Sequence, residues 1–187
     1  MGGWLGFSIL VVVALLGIGI YNSLVTLRQR TRQAFADIDV QLKQRHDLIP
    51  NLVETVKGYA THERDTLDAV VKARNAAIAA GSMAQQAGAE NVLTSALNRL
   101  LALAEAYPDL KANQNFLELQ RQLDDIENKL AAARRFFNNA AAEYNARRES
   151  FPASLIANAF GFGPQVFFEV GDDGRRQLEA APPPVKF

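Results

Sequence analysis

Hydrophobic and polar positions divide the chain into one uncharged apolar stretch and several amphipathic stretches. Residues 4–21 are dominated by Leu, Ile, Val and Gly, and no charged side chain occurs before Arg28. As a helix this stretch spans about 27 Å at about 1.5 Å per residue, close to the roughly 30 Å of a bilayer's hydrocarbon core. The pattern predicts a short tail at residues 1–3 and a transmembrane helix at 4–21. Its predicted anchor residues are Trp4, Leu5, Phe7, Ile9, Leu10, Val11, Leu15, Leu16, Ile18, Ile20 and Tyr21.

Two alternatives compete with a retained anchor. A cleaved signal peptide carries basic residues before its apolar run and a small-residue cleavage site after it, and neither is clear here. A buried core helix needs protein on every face, whereas this stretch stands at the start of the sequence. Aromatic side chains at both ends, Trp4 and Tyr21, are typical of a membrane span. The retained anchor is therefore the favoured interpretation.

Basic residues follow the apolar stretch directly. Arg28, Arg30 and Arg32 come within a dozen residues of Tyr21, while the N-terminal tail has no charged side chain. The positive-inside rule then predicts a single-pass membrane protein, with its N-terminus outside and its folded part in the cytoplasm. The alternative places the folded part on the opposite side of the membrane. The same arginines are expected to attract anionic lipid headgroups as well as to set topology.

Apolar residues at steps of three and four predict long helices after Asn22. In the first helix this stripe comprises Leu24, Leu27, Thr31, Ala34, Ile38 and Leu42. It keeps its phase beyond Pro50, so we predict a kinked helix there rather than one that ends at Ile49. A second helix is predicted at 62–80 with Gly81 as a left-handed cap, then a loop at 82–88 and a third helix at 89–107.

The fourth helix, predicted at 114–148, has the clearest periodicity, with Asn113 or Asn115 as its cap. Its stripe comprises Phe116, Leu119, Leu123, Ile126, Leu130, Ala133, Phe137, Ala140 and Tyr144. At about four heptads this stripe favours coiled-coil-like packing. The predicted fold is therefore all-α: a transmembrane helix, then an elongated four-helix bundle at 22–150.

Residues 151–187 are predicted to form an apolar C-terminal segment and an extended tail. Phe151-Pro152 ends the fourth helix, and 166–170 reads as a short β segment. The candidate interaction residues are Phe151, Leu155, Ile156, Phe160 and Phe162. Three interpretations stay open, because this cluster can fold back on the bundle, contact a neighbouring subunit or lie in the membrane interface.

Composition gives little support for catalysis or for nucleic-acid binding. Lys+Arg and Asp+Glu balance at 20 each, and the chain has no cysteine. His46 and His62 lie too far apart along a helix to act as a pair. Neither has a Glu three positions earlier, as a di-metal bundle requires, since Lys43 and Tyr59 occupy those positions. We expect no enzymatic activity, no catalytic residue, no cofactor, no metal site and no nucleic-acid partner.

The run from Asp37 to Tyr59, with Arg45-His46-Asp47-Leu48-Ile49-Pro50-Asn51 at its centre, resembles the signature of the LemA family. Further matches are Ala106–Asn113, Phe116–Gln120, Ala133–Asn138 with Tyr144-Asn145, Phe151-Pro152 leading to Phe160–Phe162, and Pro184–Phe187. The resemblance implies a membrane-anchored helical bundle of bacteria without an established activity, and one branch is associated with building magnetosome membranes. The expected location is then the bacterial inner membrane, and the alternative topology places the folded part in the periplasm. The motif residues expected to act in structure or interfaces are Asp39, Arg45, His46, Asp47, Pro50, Asn51, Tyr107 and Pro108.

Two functional hypotheses follow. The first is a structural protein that forms homo-oligomers and organises or remodels the bilayer, since heptad helices and the anchor's Gly17 and Gly19 favour self-association. The alternative is a tethered adaptor for an unidentified membrane or cytoplasmic protein.

Overall fold

The structure, a computed structural model, describes residues 2–168, except for the side chains of residues 2, 3 and 5. Every regular element in this range is helical. The helices are α1 (Gly2–Lys57), α2 (Arg64–Ala79), α3 (Met83–Ala104), α4 (Pro108–Lys111), α5 (Gln114–Glu149) and α6 (Ala153–Ala159). The predicted all-α class is confirmed. Residues 166–168 are not a strand, and the rest of the predicted β segment and tail lie outside the described residues.

α1 joins the predicted anchor and the first amphipathic helix without interruption. Its 56 residues include Pro50, where a break was the alternative. Leu24, Ala34, Ile38 and Leu42 are all buried, so the predicted stripe is the face that α1 turns inward. The continuity follows from the sequence, since the stripe keeps the 3.6-residue period on both sides of Pro50.

The connection between α2 and α3 differs from the prediction. Gly81 is not in the left-handed region, and α2 ends instead on an extended Ala80. α3 begins at Met83 because Ser82 caps it: the Ser82 hydroxyl accepts from Gln85 N, and Gln85 Oε1 accepts from Gly81 N. This exchange resembles the capping box, which stabilises a helix start. The predicted loop at 82–88 is therefore wrong beyond its first residue.

The described residues form two compact units. Residues 2–39 and 131–167 form the first, which we call the anchor unit, and residues 40–130 with Phe168 form the second unit. The anchor thus shares a unit with the C-terminal half of α5 and with α6. The domain boundaries predicted at residues 22 and 151 follow the change in composition instead.

Each unit has its own apolar core. In the second unit, large side chains from α1, α2, α3, α4 and α5 pack together, among them Ile49, Leu52, Val56, Val70, Leu93, Leu97, Leu100, Leu110 and Phe116. α5 starts after Asn113, whose Oδ1 accepts from Phe116 N, so the predicted cap is confirmed. In the anchor unit, a smaller cluster of Leu24, Tyr144, Ala157 and Phe162 is extended by half-buried Ile20, Val25, Leu27 and Ile156.

Candidate functional site

The first turns of α1 present large apolar side chains with no protein cover. Trp4, Phe7, Ile9, Leu10, Leu15, Leu16 and Ile18 are each more than half exposed, and Val11 and Tyr21 slightly less. α1 contains a stretch long and apolar enough to cross a membrane. A core helix hides such residues within its own protein, whereas the side chains described here are open on nearly every face. The arrangement suits lipid as the surrounding solvent.

α6 packs against the end of this apolar stretch. The Cδ1 atom of Ile156 lies 3.9 Å from the position that a Cβ would take at Gly17, so a glycine here allows close approach. The Phe160 and Phe162 rings meet Tyr21 edge-on, with centroids 5.1 and 5.5 Å away. Beside these contacts runs a shallow apolar groove of about 410 Å³ lined by Ala14, Gly17, Ile18, Tyr21, Ile156 and Phe160. The segment thus folds back against α1 of its own chain, while a contact with a neighbouring subunit or with the membrane interface stays a prediction.

The turn after α6 explains why Phe162 is buried while Phe160 is not. Gly161 has φ +69°, and Phe162 N donates to Ala157 O over 2.9 Å. This is the Schellman ending, which reverses the chain and places the following apolar residue against the helix. Phe162 consequently enters the core of the anchor unit, and the ring of Phe160 stays at the surface.

Three side chains of α5 hold the segment after α6 by hydrogen bonds to its backbone. Tyr144 donates to Gly163 O over 2.9 Å, and Arg148 Nε donates to Phe162 O over 2.7 Å. Asn145 makes a reciprocal pair, donating to Gln165 O and accepting from Gln165 N. Burial raises the pKa of Tyr144, with Arg28 and Arg148 opposing, so its hydroxyl keeps the proton it donates. Hydrogen bonds from α5 side chains to the backbone after α6 thus fix the position of α6.

The juxtamembrane arginines are placed differently from one another. Arg28 is half-buried with its guanidinium 4.8 Å from the Phe162 ring centroid. Arg30 donates to Glu143 over 2.9 Å and lies 5.7 Å from the Phe136 ring centroid, while Arg32 is exposed. Of the three arginines predicted to contact lipid headgroups, Arg28 therefore contacts the segment after α6 and Arg30 contacts α5. Their predicted part in topology stays a prediction.

The signature residues Arg45 and His46 converge on one buried carboxylate in the second unit. Glu90, fully buried on α3, accepts from Arg45 Nη1 over 3.2 Å, and its other oxygen lies 2.6 Å from His46 Nε2. Arg45 Nη2 also reaches the hydroxyl of Thr94 at 2.8 Å and the Glu127 carboxylate of α5 at 3.5 Å. Adjacent residues on α1 thus bind the same partner on α3. Arg45 and His46, which the motif singled out for a role in structure or interfaces, thus both join α1 to α3.

Pro50 removes one backbone hydrogen bond from α1 but does not end the helix. A proline has no N–H, so the carbonyl four residues earlier, that of His46, loses its helical donor. Arg74 of α2 replaces it, since its Nε donates to His46 O over 2.7 Å. The helix continues because a side chain from another helix satisfies the freed acceptor.

The remaining motif residues lie nearer the surface. Asp39, Asp47, Pro50 and Asn51 are exposed. The carbonyl of Asn51 accepts from Thr55 Oγ1. Tyr107 is half-buried and its hydroxyl donates to Glu63 over 3.4 Å, and Pro108 occupies the first turn of α4. Any interface role of these side chains stays a prediction.

The chemistry open to these groups is limited by access. Glu90 has 0% and Arg45 2% of its surface exposed, so neither presents an atom to a substrate. His62 is exposed and away from His46, and within residues 2–168 no three His, Asp or Glu side chains are grouped to hold a metal ion. The buried network is an arrangement for joining helices.

The second unit also has a wider groove, of about 540 Å³, between the end of α1 and the start of α2. Its charged lining residues are Glu54, Lys57, Arg64 and Asp68, two of each sign. Because the charges balance, the groove favours neither an anion nor a cation.

Sequence reasoning missed Glu90 and Arg74. With α3 predicted to start at 89, Glu90 stands in its first turn, where acidic residues are favourable and common. The Ser82-x-x-Gln85 capping pattern could have extended α3 to Met83, and Glu90 then falls three residues before buried Leu93 on the apolar face. Nothing local marks Arg74, because its partner is a backbone carbonyl made available by a proline in another helix.

Comparison with known proteins gives consistent matches. The model of the LemA family matches residues 34–187. Magnetosome protein MamQ of Magnetospirillum gryphiswaldense is 25% identical over 174 residues, which cover 79% of this chain and 64% of that protein. Magnetosome protein MamQ 2 of Paramagnetospirillum magneticum is 25% identical over 190 residues, covering 87% and 70%. Protein LemA of Metamycoplasma hominis is 22% identical over 168 residues, covering 88% and 75%. The chain thus spans less than two thirds of the first of these relatives.

Proposed function

The chain belongs to the LemA family, and we propose that it is a membrane-anchored structural protein that self-associates and organises or remodels the bacterial membrane. Similarity to proteins named for the magnetosome supports an action at membranes. The proposal includes the predicted four-helix-bundle, coiled-coil-like packing and the location in the inner membrane. It includes no reaction, since the best-connected polar groups are buried.

One observation carries the proposal: the uncovered apolar turns of α1 belong to the same compact unit as the helices that follow. A flexible tether leaves a folded domain free to turn above the bilayer. Here the stretch at 4–21 continues as helix into the buried stripe of Leu24 and Ala34, and α6 packs directly on Gly17 and Tyr21. Such an anchor transmits force between lipid and the helices beside it, as a protein that shapes membranes requires.

The same contacts favour a retained anchor over a cleaved signal peptide. Cleavage after the apolar stretch would remove Gly17 and Tyr21 and leave Ile156, Phe160 and Phe162 without their partners. A signal peptide is removed from the mature protein, so it is not expected to provide a packing surface for it.

Self-association is supported by space on the anchor. The Gly17 position is contacted by Ile156 of the same chain, whereas among residues 2–168 no atom of another element lies within 4 Å of the Cβ position at Gly19. Small residues in membrane helices allow a second helix to approach closely. We propose that Gly19 faces the anchor of another copy.

The anchoring is tested by paired arginine substitutions in the full chain expressed in bacteria. Val13 and Val40 are both exposed valines of α1, but only Val13 lies in the apolar stretch. An arginine at the centre of a membrane helix costs about 2.5–3.5 kcal/mol, so Val13→Arg should lower the fraction that sediments with membranes after alkaline washing. Val40→Arg should leave that fraction unchanged. Equal release by both variants would contradict a membrane anchor.

Self-association and topology are tested on the same preparation. The mass of the full chain in lipid nanodiscs should exceed that of one copy, and Gly19→Leu should reduce it. Protease added to intact spheroplasts should leave the folded part uncut if it is cytoplasmic. A single copy per disc would remove the self-association proposal, and complete digestion would reverse the topology.

A further inference from the structure

We propose that α6 and its flanking residues, 151–160, lie in the interfacial layer of the bilayer that α1 crosses, with Phe151, Leu155 and Phe160 inserted among the lipids. This inference rests on the proposed anchoring and adds a second lipid contact to it. The occupant of the exposed face of α6 is thus the lipid surface.

The contacts with α1 fix the level of α6. Gly17 precedes Tyr21, the expected interfacial aromatic residue, by about one turn, which is about 6 Å along the helix axis. Ile156 packs at Gly17, and Phe160 packs at Tyr21. α6 therefore lies beside the last turns of the apolar stretch and not beyond them. Its outward face meets whatever surrounds those turns, and for a membrane helix that is lipid.

The chemistry of the segment suits this position. Phe151, Leu155 and Phe160 are 81%, 63% and 65% exposed. No residue from 151 to 167 carries a charge, and the charged run of Arg147, Arg148 and Glu149 ends just before it. Interfacial segments place bulky apolar side chains at the boundary between headgroups and acyl chains. The exposed face includes Asn158, whose amide suits the headgroup side of that boundary.

The segment is also held well enough to act as a wedge. Tyr144, Asn145 and Arg148 bind the backbone just after α6, and Phe162 is buried beneath it. Its apolar side chains are therefore displayed at one place beside the anchor. They enlarge the area the protein occupies in one leaflet only, and an area difference between leaflets bends a bilayer. This gives the proposed remodelling a physical origin.

The depth of α6 is tested with spin labels, because the chain has no native cysteine. Single cysteines replace Leu155, Val13 or Val40 in the full chain, and each carries a nitroxide. The proteins are reconstituted in vesicles of phosphatidylethanolamine and phosphatidylglycerol. Collisions with oxygen and with a water-soluble nickel chelate then report whether each label is in lipid or in water. Circular dichroism of each variant checks that the helices are kept.

We expect the label at 155 to be reached by oxygen and shielded from nickel, as at 13, while the label at 40 is reached by nickel. A label at 155 that nickel reaches as easily as at 40 overturns the inference, and the anchoring still stands if 13 stays shielded. Shielding of 155 from both reagents indicates a second copy or another protein on α6 and also overturns it. Nickel access at 13 would defeat the proposed anchoring itself.

A second measurement uses side chains rather than labels. In the Leu155→Cys protein, replacing Phe151 and Phe160 with serine should move the label toward water and raise its nickel collision rate several-fold. Val40→Ser, which also removes an exposed apolar side chain but lies outside the proposed interfacial segment, is the control and should leave the rate unchanged. An unchanged rate in the double serine variant would show that these rings do not hold the segment in lipid.

Discussion

The two units are stabilised by different chemistry. The second unit joins α1 and α3 through a buried ionic network, in which Glu90 binds Arg45 and His46. The anchor unit joins its elements through aromatic rings and through side chains that bind backbone, such as Tyr144 to Gly163 O. Any other register of α1 and α3 would leave a buried charge without a partner, which is costly. Charged groups of the anchor unit are used differently, since Arg148 binds a backbone carbonyl and the Arg30–Glu143 pair is about half exposed.

The strongest test of this contrast is removal of the shared carboxylate. Glu90→Ala leaves the Arg45 guanidinium buried, with only the half-exposed Glu127 to offset its charge. Breaking a buried pair in this way costs about 3–5 kcal/mol in the free energy of unfolding. Urea unfolding of the full chain in detergent, followed by circular dichroism, measures that loss. Glu118→Ala, which removes an exposed carboxylate of α5, should cost under about 1 kcal/mol. Equal losses would mean that the network contributes no more than a surface pair.

A second test concerns the His46 carbonyl, which Pro50 leaves without a helical donor. Arg74→Met removes the donor to His46 O and should cost about 1–3 kcal/mol, the range for a polar group left without a partner. Pro50→Ala restores a backbone N–H to that carbonyl, so the same substitution in the Pro50→Ala background should cost much less. Lys72→Met, an exposed change on the same helix, is the control. Additive effects of Arg74→Met and Pro50→Ala would show that they act separately.

In the anchor unit, Asn145→Ala removes both hydrogen bonds to Gln165. We expect a loss of about 1–2 kcal/mol in unfolding free energy and faster proteolysis within 160–167. Asn145→Asp keeps the acceptor for Gln165 N but loses the donor to Gln165 O, so its effect should be intermediate. Asn139→Ala, exposed on the same helix, should change neither measurement. If the proteolysis rate is unaltered in Asn145→Ala, the two hydrogen bonds to Gln165 do not hold the segment after α6 in place.

The smallest effect is expected at the surface of the anchor unit. Arg30 and Glu143 form a pair whose side chains are each about half exposed. Arg30→Gln should lower the unfolding free energy by less than about 1 kcal/mol, and added salt should reduce the difference further. Thermal unfolding at low and high salt measures it. A loss comparable to that of Glu90→Ala would remove the distinction drawn between the two units.

The periodic parts of this fold could be predicted from sequence. The α1 and α5 stripes are buried as expected, because a 3.6-residue period marks the inward face whatever it packs against. The uncovered anchor was equally clear from the absence of charge before Arg28. The α3 start was wrong because Gly81 and Gly88 suggested a loop, while the cap at Ser82 is a local hydrogen-bonding pattern that overrides them.

The sites needed tertiary information. Arg45 and His46 could be singled out from the signature, but their common partner Glu90 lies 45 and 44 residues away from them along the chain. A period identifies the face of a helix and not which residue of another helix meets it. The level of α6 was likewise undecided, since the same apolar cluster suits a core, a subunit contact or an interface until its contact with Gly17 is known.

The hydrogen bond from Arg74 to the His46 carbonyl also constrains the order in which substitutions accumulate during descent. In a lineage that acquires the proline first, the His46 carbonyl loses its helical donor and has no replacement. In a lineage that already has the arginine, the Arg74 side chain supplies the hydrogen bond. In the reverse direction, a lineage can lose Pro50 at little cost while Arg74 remains, but losing Arg74 first is penalised. The pair therefore predicts an order of substitution, in which the arginine is gained before the proline and is lost after it.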